Sequence, residues 1–282
     1  MRWDGIPANN HGGFPVSLRS TILASACAVA LGVLSGPAFA DMSGMSGFSG
    51  VLTGDYANYS ESGGGGSLNS WGGSGAGMFG FGSEFAGQVN AGYHNISGDG
   101  LSADDWNVGG SVFWNGMQGR IGAVVGYSSA SGGGNSGNVT NYGGFGEWYA
   151  GSMFTLGVKG GALSGSGLGG SDYLGAAATF YAMPDLSFTG GYDYDSFGHG
   201  DGTANTWSIQ AEWLVSERTP VSIYGGYANT KISGFPTIST WSAGLKIYTD
   251  PVGPAPLVER QRTGVEQWGT STGPISSLVG IL

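Results

Sequence analysis

Between residues 48 and 249 apolar and polar positions alternate with a period of two, the spacing of a β-strand with unlike faces. The run Trp106-Asn-Val-Gly-Gly-Ser-Val-Phe-Trp114 shows it most plainly. One face carries Trp106, Val108, Gly110, Val112 and Trp114, and the other Asn107, Gly109, Ser111, Phe113 and Asn115. The pattern recurs. Aromatic-led segments begin at Trp71, Trp106, Tyr142, Tyr173, Trp207 and Trp241, at nearly even steps of which Tyr142 to Tyr173 is the shortest. Most carry a second aromatic six to eight residues later: Phe79, Trp114, Trp148, Tyr181 and Trp213. An interleaved series has its own tyrosines at 56, 93, 127, 192 and 227, with Val158-Lys159-Gly160-Gly161 a member that lacks one. A period of about 34 residues that holds two strands is a β-hairpin repeat, and six hairpins predict about twelve strands. The spacing places them at 48–59, 69–81, 85–97, 104–115, 119–130, 139–149, 153–164, 172–182, 186–197, 204–215, 220–232 and 238–249.

Connections alternate in kind. Tight turns fall at Gly82-Ser83-Glu84, Gly116-Met117-Gln118, Ala150-Gly151-Ser152, Met183-Pro184-Asp185 and Ser216–Thr219, while Ser60–Leu68 and Ser131–Asn138 are longer and rich in Gly and Ser. An eight-residue step between Trp106 and Trp114 covers roughly 27 Å of extended strand, or roughly 20 Å of height at the tilt of a membrane barrel. That approaches the height of an outward apolar band with an aromatic girdle at each edge. The girdle so predicted is Trp71, Trp106, Trp114, Tyr142, Trp148, Tyr173, Tyr181, Trp207, Trp213 and Trp241. The expected fold is therefore all-β, a transmembrane antiparallel up-and-down barrel of about twelve strands with short periplasmic turns and longer extracellular loops. Calcium-binding solenoid repeats are excluded, because their rungs are shorter and their nonapeptide pattern is absent.

Composition adds a leader and removes several chemistries. An apolar run at Thr21–Leu34 follows Arg19 and precedes Ala38-Phe39-Ala40, a small-x-small cleavage site. Residues 1–40 are expected to be a signal peptide cleaved after Ala40, with 41–250 the barrel and 251–282 a C-terminal periplasmic tail. Positions 1–15 make a long n-region, and translation from Val16 would give an ordinary one. Cys27 inside the apolar run has too little apolar sequence before it for lipoprotein processing. Downstream of residue 40 there are seven basic and eighteen acidic side chains, a net charge near −11, and no cysteine. Thiol chemistry and disulfides are excluded, and so is attraction to nucleic acid. Glycine, with 59 positions, follows no Gly-X-Y period, which excludes collagen.

On these strands, turns and aromatics, residues 48–249 resemble Gram-negative outer-membrane β-barrel and porin-like proteins, at the level of architecture. The last strand, Trp241-Ser-Ala-Gly-Leu-Lys-Ile-Tyr248, looks like the recognition strand read by the barrel-assembly machinery, although here the chain runs on past it to Leu282. The resemblance implies an integral outer-membrane location, outer-membrane lipids and lipopolysaccharide as surroundings, and small solutes or ions as cargo. The tail, with Pro251, Pro254 and Pro256, then Glu259-Arg260-Gln261-Arg262, then the apolar Leu278–Leu282, is open to three readings: a periplasmic extension, a partial plug or a disordered run-on.

If the aromatic-led face meets lipid, the other face lines the lumen. Its ionisable members are Asp55, Asp105, Arg120, Glu147, Lys159, Asp193, Asp195, Glu212 and Lys246. Position along the strands puts Asp105, Asp193 and Asp195 near the extracellular mouth with Asp55 a little lower. Arg120 and Glu147 face each other near the periplasmic end, with Lys159 close enough to join them. Inward glycines, among them Gly72, Gly126, Gly157, Gly191 and Gly244, are expected to leave space.

Enzymatic candidates are few. His94 with Ser97, and His199-Gly200-Asp201 with Asp193 and Asp195, could form a hydrolytic or calcium-binding cluster at the rim. Asp99, Asp104, Asp105 and Asp201 could ligate divalent cations that bridge to lipopolysaccharide. None matches the residue pattern of an outer-membrane enzyme, so no enzyme activity and no cofactor are expected. The sequence points to a passive, mildly cation-preferring channel. A non-conducting surface barrel or a rim-sited lipid or peptide hydrolase are the alternatives.

Overall fold

The computed structural model describes residues 48–63, 66–81, 84–98, 101–132, 135–165, 168–198, 202–218, 220–249 and 254–268. The leader through residue 40, Asp99, His199, Asp201 and the apolar end at 278–282 lie outside them.

Twelve strands form one closed antiparallel barrel in sequence order. They are β1 (Ser49–Glu61), β2 (Ser67–Phe81), β3 (Phe85–Gly98), β4 (Leu101–Gly116), β5 (Gly119–Gly132) and β6 (Asn135–Ala150). They continue with β7 (Phe154–Gly165), β8 (Leu168–Met183), β9 (Leu186–Phe197), β10 (Gly202–Ser216), β11 (Val221–Ile232) and β12 (Ile238–Tyr248). β1 closes on β12 from Val51↔Tyr248 to Glu61↔Ile238, so no edge strand is left unpaired and the backbone groups of every strand are satisfied within the wall. Both termini of the wall lie at the end of the tight turns. A seven-residue helix, α1 (Leu257–Thr263), follows β12 and lies inside that end.

All twelve expected strands are present. Their ends at the tight turns agree with the sequence pattern to within a residue or two. At the other end the strands run on into the Gly/Ser-rich segments: β2 begins at Ser67, β4 at Leu101, β6 at Asn135 and β8 at Leu168. Ladder bonds between neighbours are indifferent to side-chain polarity, so pairing continues past the point where hydrophobic alternation fades.

Alternation decides which side chains face out. Eight of the ten expected girdle residues, Trp71, Trp106, Trp114, Tyr142, Trp148, Trp207, Trp213 and Trp241, stand on the outer wall with 38% to 62% of their surface exposed. Between the two rings the wall presents Val89, Val108, Val112, Val125, Val158 and Ile209, also exposed. Ring contacts knit the belt, with Tyr227 between Trp207 and Trp241 in tilted contacts at centroid distances of 5.2 and 4.7 Å. A contiguous exposed apolar band around a closed barrel is stable only against lipid.

Tyr173 and Tyr181 are corrections. They are 6% and 5% exposed and point inward. On β8 the outward row after Asp172 is Leu174, Ala176, Ala178, Phe180 and Ala182, wholly apolar, and the tyrosines belong to the opposite row with Ser171, Gly175, Ala177 and Thr179. Burying a tyrosine requires a partner for its hydroxyl. Tyr181 donates to Gln261 Oε1 at 2.9 Å and Tyr173 hydrogen-bonds Asn141.

Candidate functional site in the barrel lumen

The nine ionisable residues expected inside are all on the inner row. Four ion pairs organise eight of the charged or titratable groups there. Asp55 meets His94 Nε2 at 3.0 Å, Arg120 meets Glu147 at 3.0 Å, Lys159 meets Asp193 at 3.1 Å and Lys246 meets Glu212 at 2.6 Å. Arg120 and Glu147 are cross-strand neighbours, as their positions suggested. Lys159 does not join them: it reaches Asp193 instead.

Three of these pairs span a strand. Asp55 on β1 and His94 on β3 flank Gly72 of β2, and Lys159 on β7 and Asp193 on β9 flank Gly175 of β8. Glu212 on β10, opposite Tyr224, and Lys246 on β12, opposite Ser222, meet diagonally across β11, and the Ser222 hydroxyl donates to Glu212 at 2.6 Å. A Cβ at Gly175 would overlap the Asp193 carboxylate and stand 2.9 Å from Lys159 Cε; one at Gly72 would lie 2.5 Å from the His94 ring. The inward glycines are therefore seats for neighbouring side chains, which corrects the expectation that they widen the bore. Gly126 likewise lies under Asn141, and Gly244 under Tyr224.

Asp105 is fully buried, and neither of its carboxylate oxygens has a hydrogen-bond partner among the described residues. Asp195 is also buried and stands outside the four pairs. Two of the four carboxylates of the expected acidic vestibule are thus engaged, Asp55 by His94 and Asp193 by Lys159. Among the described residues no group of three acidic, histidine or cysteine side chains could hold a metal ion. His94 and Ser97 lie three apart on β3 and so point to opposite faces. His94 is engaged with Asp55, and the His94–Ser97 dyad does not form.

Residues 254–268 are the part of the lumen that sequence reasoning left open among three fates. They occupy the terminal end of the barrel. Leu257 and Val265 pack against Val51, Met78, Ala86, Phe113, Phe145, Leu214 and Tyr248, an apolar collar on the inner rows. Burying Leu257 completely contributes about 2 kcal/mol. Arg120, 2% exposed, fastens the last turn of α1: its guanidinium donates to the carbonyls of Gln261 at 2.7 Å, Arg262 at 2.6 Å and Gly264 at 3.1 Å. A cation there satisfies carbonyls that a helix C-terminus leaves orphaned. Gln88 of β3 pairs with the backbone of Glu266 in both directions, at 2.7 and 2.8 Å.

The tail makes further bonds around the circumference. Arg262 donates to Gly151 O, Phe154 O and Thr155 Oγ1 at the β6–β7 turn. Arg260 donates to Glu217 O at the β10–β11 turn. Lys246 donates to Gln267 Oε1 at 2.7 Å, and Lys159 lies 4.5 Å from the centre of the Trp268 ring. The segment is a plug held on β3, β5, β7 and β12 at once. Tyr149 of β6 donates its hydroxyl to Arg262 O at 2.9 Å, and Trp268 lies against Gly157 of β7. Gln88, Tyr149 and Gly157 carried no signal in the hydrophobic pattern; the charged run Glu259–Arg262 next to a buried arginine was the available hint. Beyond it the lumen keeps cavities of about 200 Å³ and 360 Å³.

No protein-family model matches this sequence. No curated protein matches it either. Solved structures do resemble the fold. The translocator domain of the autotransporter NalP from Neisseria meningitidis superposes with a TM-score of 0.51 at 11% identity, covering 74% of this chain and 92% of that one. An outer membrane channel from Pseudomonas putida F1 superposes with a TM-score of 0.52 at 9% identity, covering 71% of this chain and 94% of that one. The fold is that of Gram-negative outer-membrane β-barrels.

Proposed function

We propose that this barrel, embedded in the outer membrane, is a channel for small hydrophilic solutes whose periplasmic end is closed by its own C-terminal segment. The observation that carries the reading is the manner in which residues 254–268 are held. The plug rests on hydrogen bonds and one apolar collar, and it lies within the mouth rather than forming part of the wall. Above it the inner rows are polar, with Asn90, Asn107, Asn141, Ser208 and Gln210 facing the cavities. A polar, hydrated lumen walled from lipid is what passage of hydrophilic solutes requires.

A mild cation preference belongs to the same reading. It is supported by Asp105 and Asp195, two carboxylates of the inner wall that lie outside the four pairs. Outer-membrane lipids and lipopolysaccharide contact the exposed belt in this reading, and the assembly machinery reads β12. The test is conductance of the refolded chain from residue 41 in a planar bilayer under a salt gradient. The expected record is rare, discrete, cation-selective steps that become frequent when the Arg120 seat is weakened. The collar and the ion pairs favour a second reading, a permanently filled barrel with no conducting path. Silence from a folded Arg120 variant would establish that one instead.

A further inference from the structure

The plug fills the lumen unevenly. On the side of β7 to β12 it leaves the chamber of about 360 Å³, room for roughly a dozen water molecules, or for the non-hydrogen atoms of one monosaccharide. The chemistry of its lining is specific. Ser208, Gln210, Thr240 and Ser242 face it, and among the described residues their side chains hydrogen-bond to no other group. The charged groups at its border are already matched: Glu147 by Arg120, and Glu212 by Lys246, Ser222 and Tyr248.

Trp268 of the plug completes the chamber. Its benzene edge lies on Gly157, 3.1 Å from where a Cβ would stand, and its Nε1 is 4.0 Å from the same position on Gly191. The indole thus reaches from β7 to β9, with an N–H that no described residue accepts. Gly226 is bare beneath Ser242, whose hydroxyl lies 3.1 Å from its Cβ position.

We infer that this chamber is a binding site for a small, neutral, hydroxyl-rich solute of about monosaccharide size. The inference rests on the channel reading for how the solute arrives, and it deepens that reading by naming the class. Hydroxyls and amides both donate and accept, so a polyol satisfies them in either sense. A charged solute would leave water without a free counter-charge to meet it, because the border charges are spent on one another. A fully apolar solute would strand the four open side chains. Lys159 lies over the indole ring, and the indole N–H is left to donate to a sugar oxygen.

The test is titration calorimetry on the folded chain from residue 41 with glucose, glucuronate and glucosamine, which share a pyranose ring and differ in charge. Saturable glucose binding is expected, with both charged analogues at least about tenfold weaker, a difference of one decade in Kd. Ser208→Ala/Ser242→Ala should weaken glucose about tenfold while gel mobility still reports a folded barrel. Gln210→Ala, measured separately, should do the same should the double variant not fold. Equal or tighter binding of glucuronate or glucosamine overturns the inference, as does unchanged glucose affinity in both variants. Conductance of the same samples separates the two proposals. Channel steps with no heat from glucose sink the binding site alone, and glucose binding with a silent Arg120 variant sinks the channel alone.

Discussion

Arg120 is the most informative residue to remove. Deleting it alone would leave Glu147 as an unpaired buried carboxylate, at a cost of about 3–5 kcal/mol that has nothing to do with the plug. The useful perturbation is Arg120→Gln together with Glu147→Gln, which keeps the site neutral and close in volume. What is lost is the guanidinium's hold on three carbonyls, at 2.6, 2.7 and 3.1 Å. Hydrogen bonds from a charged donor contribute roughly 1.5–3 kcal/mol each. Three on one guanidinium do not add fully, and the new amide can serve one carbonyl. The net loss is about 3 kcal/mol, a shift of roughly 150-fold in the ratio of closed to open. Leu257, Val265 and the Gln88 pair remain in place, so the plug docks more weakly rather than not at all. Single-channel recording reads the shift as open probability, and hydrogen exchange at the Glu266 amide reads it independently. Wild-type open probability together with wild-type exchange protection in the folded double variant would refute the seat as described.

Gln88→Leu removes both bonds to Glu266 and should weaken docking by about 2 kcal/mol, seen as faster exchange at that amide with unchanged protection in the wall strands. Gly175→Ala drives a methyl into the Lys159–Asp193 pair and should destabilise the barrel by about 3 kcal/mol in urea unfolding from bilayers; an unchanged midpoint would mean the pair does not lie over that glycine. In single-tryptophan variants, Tyr173→Trp should escape quenching by brominated lipid while native Trp241 is strongly quenched, and equal quenching would return β8 to the opposite facing. Asp195→Asn should lower cation selectivity in the reversal potential without altering the fold.

The wall was legible in the sequence because a lipid-facing barrel writes its period on every strand. The hairpin repeat located all twelve strands, and eight aromatics fell on the outer wall where alternation put them. β8 misled because its aromatics were read as the leading positions of the repeat. Its apolar row, Leu174 to Ala182, stated the facing more directly, and the short step from Tyr142 to Tyr173 was the warning. The lumen was less legible. Which inner residues exist follows from parity, but which of them meet depends on what the intervening strand presents, as at Gly72 and Gly175. The plug was least legible of all, since many of its bonds end on backbone carbonyls, those of Gly151, Phe154 and Glu217 in the wall and of Gln261, Arg262 and Gly264 in the plug, groups that every sequence has.

β12 ends at the terminal end of the barrel, and residues 254–268 lie inside that same end, while the seam between β1 and β12 is closed by the wall strands alone. The ring can therefore shut while the last residues are still outside it. Building the cylinder and filling it are two events with separate clocks, the first governed by strand pairing and the second by the search of a short tethered segment for its seat. Refolding followed at Trp241 and at Trp268 should accordingly give two phases, with Trp268 settling last.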